Sequence, residues 1–220
     1  MSVLPVTLLV VAKAPEPGKA KTRLAAAIGG PLAADIAAAA LLDTLDAVAA
    51  APVAGRVVAL TGDLGAAAGA PEIRRRLASF TVIPQRGDTF GDRLANAHAD
   101  AADGYPVLQI GMDTPQVTAE LLTGCARKLL DAPAVLGLAC DGGWWVLGVR
   151  APTMAECLRT VPMSRPDTGE WTLKALRGNG IAVGTVQRLA DFDVLDDLAA
   201  VRDACGPASR FARVTRAAGL

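Results

Sequence analysis

The densest concentration of reactive side chains lies in residues 13–23, Lys-Ala-Pro-Glu-Pro-Gly-Lys-Ala-Lys-Thr-Arg. Lys13, Lys19, Lys21 and Arg23 put four cations on a loop hinged at Gly18. If that loop runs from a strand into a helix it can hold a polyphosphate, because charge-assisted contacts and a helix N-terminus both favour negative charge. A Walker A loop is excluded, since Lys13 stands where its first glycine must be and Ala20 follows Gly18-Lys19. The plain alternative is a solvated basic turn. Asp113, in Ile-Gly-Met-Asp-Thr-Pro (110–115), follows an apolar run and is placed to bind a divalent cation; its other reading is a cap for the helix that starts near Thr118. In Asp-Phe-Asp-Val-Leu-Asp-Asp (191–197), Asp196 and Asp197 suit a helix dipole. Asp191 or Asp193 could instead supply a second carboxylate to Asp113.

Two further clusters are open in meaning. Asp141-Gly142-Gly143-Trp144-Trp145 offers a carboxylate, space and two indoles to an acceptor, or it is a hairpin turn with core tryptophans. The glycine-spaced loop from Gln85 through Gly87 to Gly91 can present backbone groups to a nucleobase. His98 is the only histidine, so His-rich metal sites are excluded, and it reads as a hydrogen-bonded surface or half-buried histidine rather than a catalyst.

These residues need elements to position them. Residues 6–12 form a continuous, β-branched apolar run of the kind that makes a buried parallel strand. The alanine-rich stretch that follows, up to residue 51, predicts one long amphipathic helix with Asp35, Asp43 and Asp46 on its polar face. Strands are then expected at 56–60, 80–84, 107–111, 134–140, 144–149 and 181–186. Helices are expected at 72–78, 91–102, 119–130, 171–176, 195–204 and 208–217. Only residues 141–143 separate two of the strands, so those two form a hairpin within an otherwise mainly parallel sheet. The alternation predicts a three-layer αβα sandwich in one domain spanning residues 1–220, with ligands outside the carboxyl ends of the strands. Lys13, Thr61, Gln85 and Asp113 all fall at that edge.

Composition narrows the partners. Twenty-two basic residues balance 22 acidic ones, so no global field holds nucleic acid or an anionic membrane. The apolar content of 52% comes largely from alanine, and Asp35, Asp43 and Asp46 interrupt the one stretch long enough to consider as a membrane span. Cysteines 125, 140, 157 and 205 have no zinc or redox spacing and read as reduced core residues of a cytoplasmic protein. The absence of Gly-x-Gly-x-x-Gly after the first strand disfavours a dinucleotide oxidoreductase.

Taken in order, the motifs at 12–24, 87–94, 110–115, 141–145 and 191–193 resemble the GT-A-fold nucleotide-diphospho-sugar transferase superfamily. The nearest branch is a bacterial, glycosyltransferase-like one similar to 2-phospho-L-lactate guanylyltransferase. The resemblance implies that Lys13, Lys21 and Arg23 hold nucleotide phosphates and act in catalysis with Asp113. It implies that Asp113 and Asp193 hold Mg²⁺ or Mn²⁺. The nucleotide-binding set it implies is Ala12, Lys13, Gly18, Lys19, Lys21, Arg23, Thr61, Gln85, Gly87 and Gly91. Asp141, Gly142, Gly143 and Trp144 face a small acceptor. The expected activity is metal-dependent nucleotidyl or glycosyl transfer from an NTP or nucleotide-sugar. Met112, Thr114 and Gln116 depart from the branch's usual Ser-Asp-Cys-Pro-Asp pattern, and the rival expectation from that departure is a non-catalytic nucleotide-binding regulatory module.

Overall fold

A computed structural model describes residues 2–220. Among the described residues seven strands form one sheet: β1 (Leu4–Lys13), β2 (Val53–Thr61), β3 (Thr81–Pro84), β4 (Val107–Ile110), β5 (Ala134–Leu138), β6 (Trp144–Val149) and β7 (Val183–Thr185). Their order is β3-β2-β1-β4-β6-β5-β7. All neighbours pair in parallel except β6, which runs antiparallel to both β4 and β5. The expected hairpin across residues 141–143 is therefore present. Seven consecutive buried residues, 6–12, explain why β1 lies inside the sheet rather than at an edge.

Helices cover both faces. Leu41, Leu45 and Val48 of α2 (Gly30–Ala50), Ile73 of α3 (Ala70–Leu77) and Leu122 and Leu129 of α5 (Ala119–Asp131) close one core. Leu94 and Ala97 of α4 (Phe90–Ala101), Leu158 of a 3₁₀ helix (Pro152–Thr160) and Leu176 of α6 (Thr168–Gly178) close the other. The 3₁₀ helix was not expected; Pro152 at its start fixes the first turn, and Ala155 and Leu158, three residues apart, face the core.

The expected single helix up to residue 51 is two helices, α1 (Thr22–Ile28) and α2, because Gly29 sits at φ 89° and Gly30-Pro31 starts a new helix. Nor is α2 amphipathic. A third core, with Leu24 of α1, Ile36 and Ala40 of α2, Leu198 and Val201 of α7 (Asp197–Ala204) and Phe211 of α8 (Arg210–Ala217), covers its outer side. Asp35 is exposed, but Asp43 and Asp46 are half-buried and pair with Arg210 at 3.3 and 2.6 Å. A helix covered on most sides needs small residues, which accounts for its alanines.

Among the described residues no helix is long and apolar enough to cross a membrane. The cysteines are all unpaired, and only Cys125 is a core residue. Cys140 is exposed while Cys157 and Cys205 are half-buried, so the expectation of four core cysteines fails.

Candidate active site at the carboxyl edge of the sheet

After β1 the chain moves to β2 and β3 on one side, then returns to β4 on the other. The crevice between the carboxyl ends of β1 and β4 is thus the topological switch point where open α/β sheets bind ligands. Lys13 ends β1 and its backbone N–H donates to Met112 Sδ at 3.3 Å, so the two loops touch there. Glu16, not singled out by residue type or spacing, organises the basic loop. It is buried, with Oε2 2.7 Å from Lys19 Nζ and Oε1 accepting from Asp63 N at 3.0 Å. The hydrogen bond from Lys19, and then that from Asp63, hold the Glu16 carboxyl below the usual range. Lys13 Nζ donates to the Lys19 carbonyl at 2.7 Å.

Lys21 is the centre of the arrangement. Its backbone is left-handed, φ 48° and ψ 50°, an uncommon state for a residue with a side chain and one usually maintained by its surroundings. The side chain is 9% exposed. Its ammonium lies 2.9 Å from Asp113 Oδ1 and 3.8 Å from Asp193 Oδ1, donates to the Phe192 carbonyl, and stands 4.2 Å from the centroid of the Phe192 ring. Arg23 completes the group at 2.7 Å from Asp193 Oδ2.

The late segment is held in place by contacts that composition could not reveal. Phe192 N donates to the Asp113 carbonyl at 3.3 Å, and Gln116 Nε2 donates to the Ala190 carbonyl at 2.5 Å. Asp197 Oδ2 accepts from Asp193 N and Val194 N at 2.8 and 2.9 Å, so its carboxylate holds the loop as well as standing at the start of α7. The Phe192 ring is fully buried and packs 4.8 Å from that of Phe211.

Lys13, Lys19, Lys21, Asp113 and Asp193 line one cleft of about 270 Å³, with Met112, Ala20, Thr22 and Ala37 completing its wall. Two carboxylates converging on one cation form the hard-oxygen donor set that suits Mg²⁺ or Mn²⁺. Asp113 Oδ1 is buried and its polar contact is the Lys21 ammonium, so it is free to ligate a metal once that ammonium moves aside. Among the described residues no three His, Cys, Asp or Glu groups cluster for a metal, so the remaining ligands would be phosphate oxygens and water. Thr118, not Asp113, caps α5: its side chain accepts from Leu121 N at 3.1 Å.

The other expected residues lie around this cleft rather than in its wall. Gln85 Nε2 donates to the Ala12 and Ala59 carbonyls at 2.8 and 2.9 Å, tying the ends of β1 and β2 together. Thr61 pairs with Lys13 across β2 and β1. Gly18 and Gly87 take positive φ at turns. Gly91 lies under the Leu158 carbonyl, where a Cβ would come within 2.4 Å, so packing of α4 on the 3₁₀ helix requires glycine there.

Asp141 Oδ1 accepts from Gly143 N at 2.7 Å and shapes the turn. Gly142, at φ 93°, packs so closely on the Pro166 carbonyl that a Cβ would stand 1.7 Å away; this glycine serves backbone contact rather than open space. Trp144 is half-buried. Leu189 bridges Ala139 in parallel register, which carries Asp191 alongside Asp141. Burial, then the Asp141 charge, push the Asp191 carboxyl up to about 6. His98 departs from expectation: it is fully buried, and burial, opposed by the neighbouring Gln109 side chain, pushes its pKa down to about 4.

Comparison with known proteins places this geometry. Residues 44–165, more than half of the chain, match the model of a family described as an uncharacterized protein conserved in bacteria, DUF2064. The chain belongs to this family. The DUF2064 match includes Gln85, Asp113 and Asp141, whereas the basic loop and Asp193 lie outside it. The chain is similar to a protein of Desulfovibrio desulfuricans G20 provisionally described as a nucleotide-diphospho-sugar transferase. The two are 25% identical with a TM-score of 0.84, over 100% of this chain and 96% of that one.

CMP:2-keto-3-deoxy-manno-octonic acid synthetase, complexed with CTP, shares the fold at 13% identity and TM-score 0.56, over 90% of this chain and 97% of that one. So does Rv0371c of Mycobacterium tuberculosis H37Rv in complex with manganese, at 18% identity and TM-score 0.53, over 89% and 97%. No curated protein matches. This DUF2064 chain thus has the mainly parallel α/β fold of nucleotide-diphospho-sugar transferases that its motifs implied.

Proposed function

We propose that the protein is a metal-dependent transferase that uses an activated nucleotide. The observation that carries this reading is the meeting, in one cleft at the switch point, of a basic loop and two carboxylates from three distant parts of the chain. Lys13, Lys19 and Arg23 stand where a diphosphate or triphosphate would lie, and their charges would hold and orient it. Asp113 and Asp193 would hold the divalent ion, which when bound offsets charge developing on the leaving phosphates. The similarity to the Desulfovibrio desulfuricans protein and the fold shared with a CTP-bound synthetase support the same class.

No protein nucleophile is required. The acceptor's own oxygen attacks either the α-phosphorus of an NTP, releasing pyrophosphate, or the sugar carbon of a nucleotide-sugar, releasing the nucleotide. The turn at Asp141–Trp144, next along the sheet edge, is the proposed acceptor side. Gln85, with its amide anchored on the Ala12 carbonyl, stands on the proposed base side. Release of pyrophosphate or nucleotide is measured against a panel of acceptors with Mg²⁺ or Mn²⁺, in wild type and in Asp113→Asn. The expected outcome is metal-dependent turnover that falls at least about 100-fold in the variant, the order seen when a preorganised electrostatic group is removed. Full metal-dependent turnover in Asp113→Asn would contradict the assignment.

A further inference from the structure

We propose that Lys21 is a resident counter-ion that occupies the space between Asp113 and Asp193 and makes divalent-cation binding conditional on a polyphosphate. The inference rests on the reading of the cleft as a metal-nucleotide site and concerns how that site loads. Lys21 Nζ is 2.9 Å from Asp113 Oδ1 and 3.8 Å from Asp193 Oδ1, so it already meets the two carboxylates that would bind the metal. It is also the cation positioned to matter. Arg23, though only 2.7 Å from Asp193, is 70% exposed and screened by water, whereas Lys21 is 9% exposed.

Two features keep the ammonium there: the Phe192 carbonyl accepts from it, and the Phe192 ring faces it. A divalent ion entering alone must approach two carboxylates whose charge is already half offset by an ammonium within 4 Å of both, and that ammonium repels it. A phosphate chain changes the balance, because its oxygens offer Lys21 an alternative anionic partner and at the same time supply the ligands that two carboxylates lack. Metal and phosphate chain then bind with positive coupling, each removing an obstacle to the other.

The test is Mn²⁺ binding, read as loss of the free-ion electron paramagnetic resonance signal, with no nucleotide present. Wild type is compared with Lys21→Met and with Lys21→Gly, which removes the amine and also relieves the left-handed backbone; circular dichroism confirms that each is folded. Both variants are expected to bind Mn²⁺ at least about tenfold more tightly than wild type, with the gain lost in Lys21→Met/Asp113→Asn. Equal or weaker Mn²⁺ binding in both folded single variants would overturn the proposal.

Failure of the functional reading looks different. Tighter Mn²⁺ binding in the variants, with no response of wild type to any NTP or nucleotide-sugar, would uphold the counter-ion and remove the transferase. A wild type that binds one nucleotide class with Mn²⁺, beside variants with no gain in Mn²⁺ affinity, would uphold the transferase and remove the counter-ion.

Discussion

Individual side chains carry two kinds of information in this molecule, and Lys21 and His98 represent them. Lys21 has an uncommon backbone and two carboxylates within 4 Å of its ammonium, the combination expected of a residue positioned for function. His98 is fully buried away from solvent, and its effect is on stability. Its folded pKa of about 4 lies below the unfolded value, so the unfolded chain takes up the proton first as pH falls. The contribution of neutral His98 is therefore present above about pH 6.5 and is lost progressively as pH falls towards 4. We expect about 2 kcal/mol of stability to be lost through this group between pH 7 and pH 5. Urea unfolding at the two pH values, in wild type and His98→Met, checks it: the variant should show a shallower loss by about that amount, and parallel losses would contradict it. The sequence showed the histidine to be isolated in type, but nothing in its spacing revealed that it would be fully buried beside Gln109.

Among the elements, the C-terminal helices matter more to the site than their distance in sequence implies. Phe211 of α8 packs on Phe192, whose carbonyl and ring receive Lys21. The junction of α8 with α2 is a carboxylate cap: Asp43 accepts from Ser209 Oγ at 2.7 Å and from the backbone N–H groups of Arg210 and Phe211 at 3.0 Å each. Hydrogen bonds to a charged acceptor are worth roughly 1.5–3 kcal/mol apiece and are not additive, so Asp43→Ala should cost about 3 kcal/mol. For a domain of this size that lowers Tm by roughly 6–12 °C. A differential scanning calorimetry shift under about 2 °C would show that the cap does not hold α8.

Here the sequence was legible in part. Strand β1, the β5–β6 hairpin and the alternation that follows from them could be read because buried strands are continuous in apolar residues and a three-residue gap forces antiparallel return. The alanine-rich region misled because alanine fits either an exposed helix face or a helix buried on both sides. Only the tertiary cover from α1, α7 and α8 distinguishes the two. Residues 152–160 were missed because the inward face of this short 3₁₀ segment is made by just Ala155 and Leu158.

For the whole molecule, charge and topology give a single account. Net charge is zero, yet cations from residues 13–23 and carboxylates from Asp113 and Asp193 gather at one edge, so the field that matters is local. The site unites residues about as far apart in sequence as Lys21 and Asp193, which meet only when the fold is complete. That is why the basic loop and Asp113 could be proposed from type and position, while the contacts of Glu16, Phe192, Gln116 and Asp197 that hold them together could not. Those residues act largely through backbone partners, which residue type does not reveal.

The central claim is that this cleft binds a nucleotide together with a divalent metal. It is tested most directly by thermal unfolding of wild type and Asp113→Ala against a panel of NTPs and nucleotide-sugars, each with Mg²⁺ or Mn²⁺. At about 100 times its Kd a ligand adds about 2.7 kcal/mol, or roughly 5–10 °C in Tm for a domain of this size. The account predicts such a shift for one nucleotide class, dependent on metal and lost in Asp113→Ala. No shift with any of the ligands, or one of the same size in the variant, would contradict it.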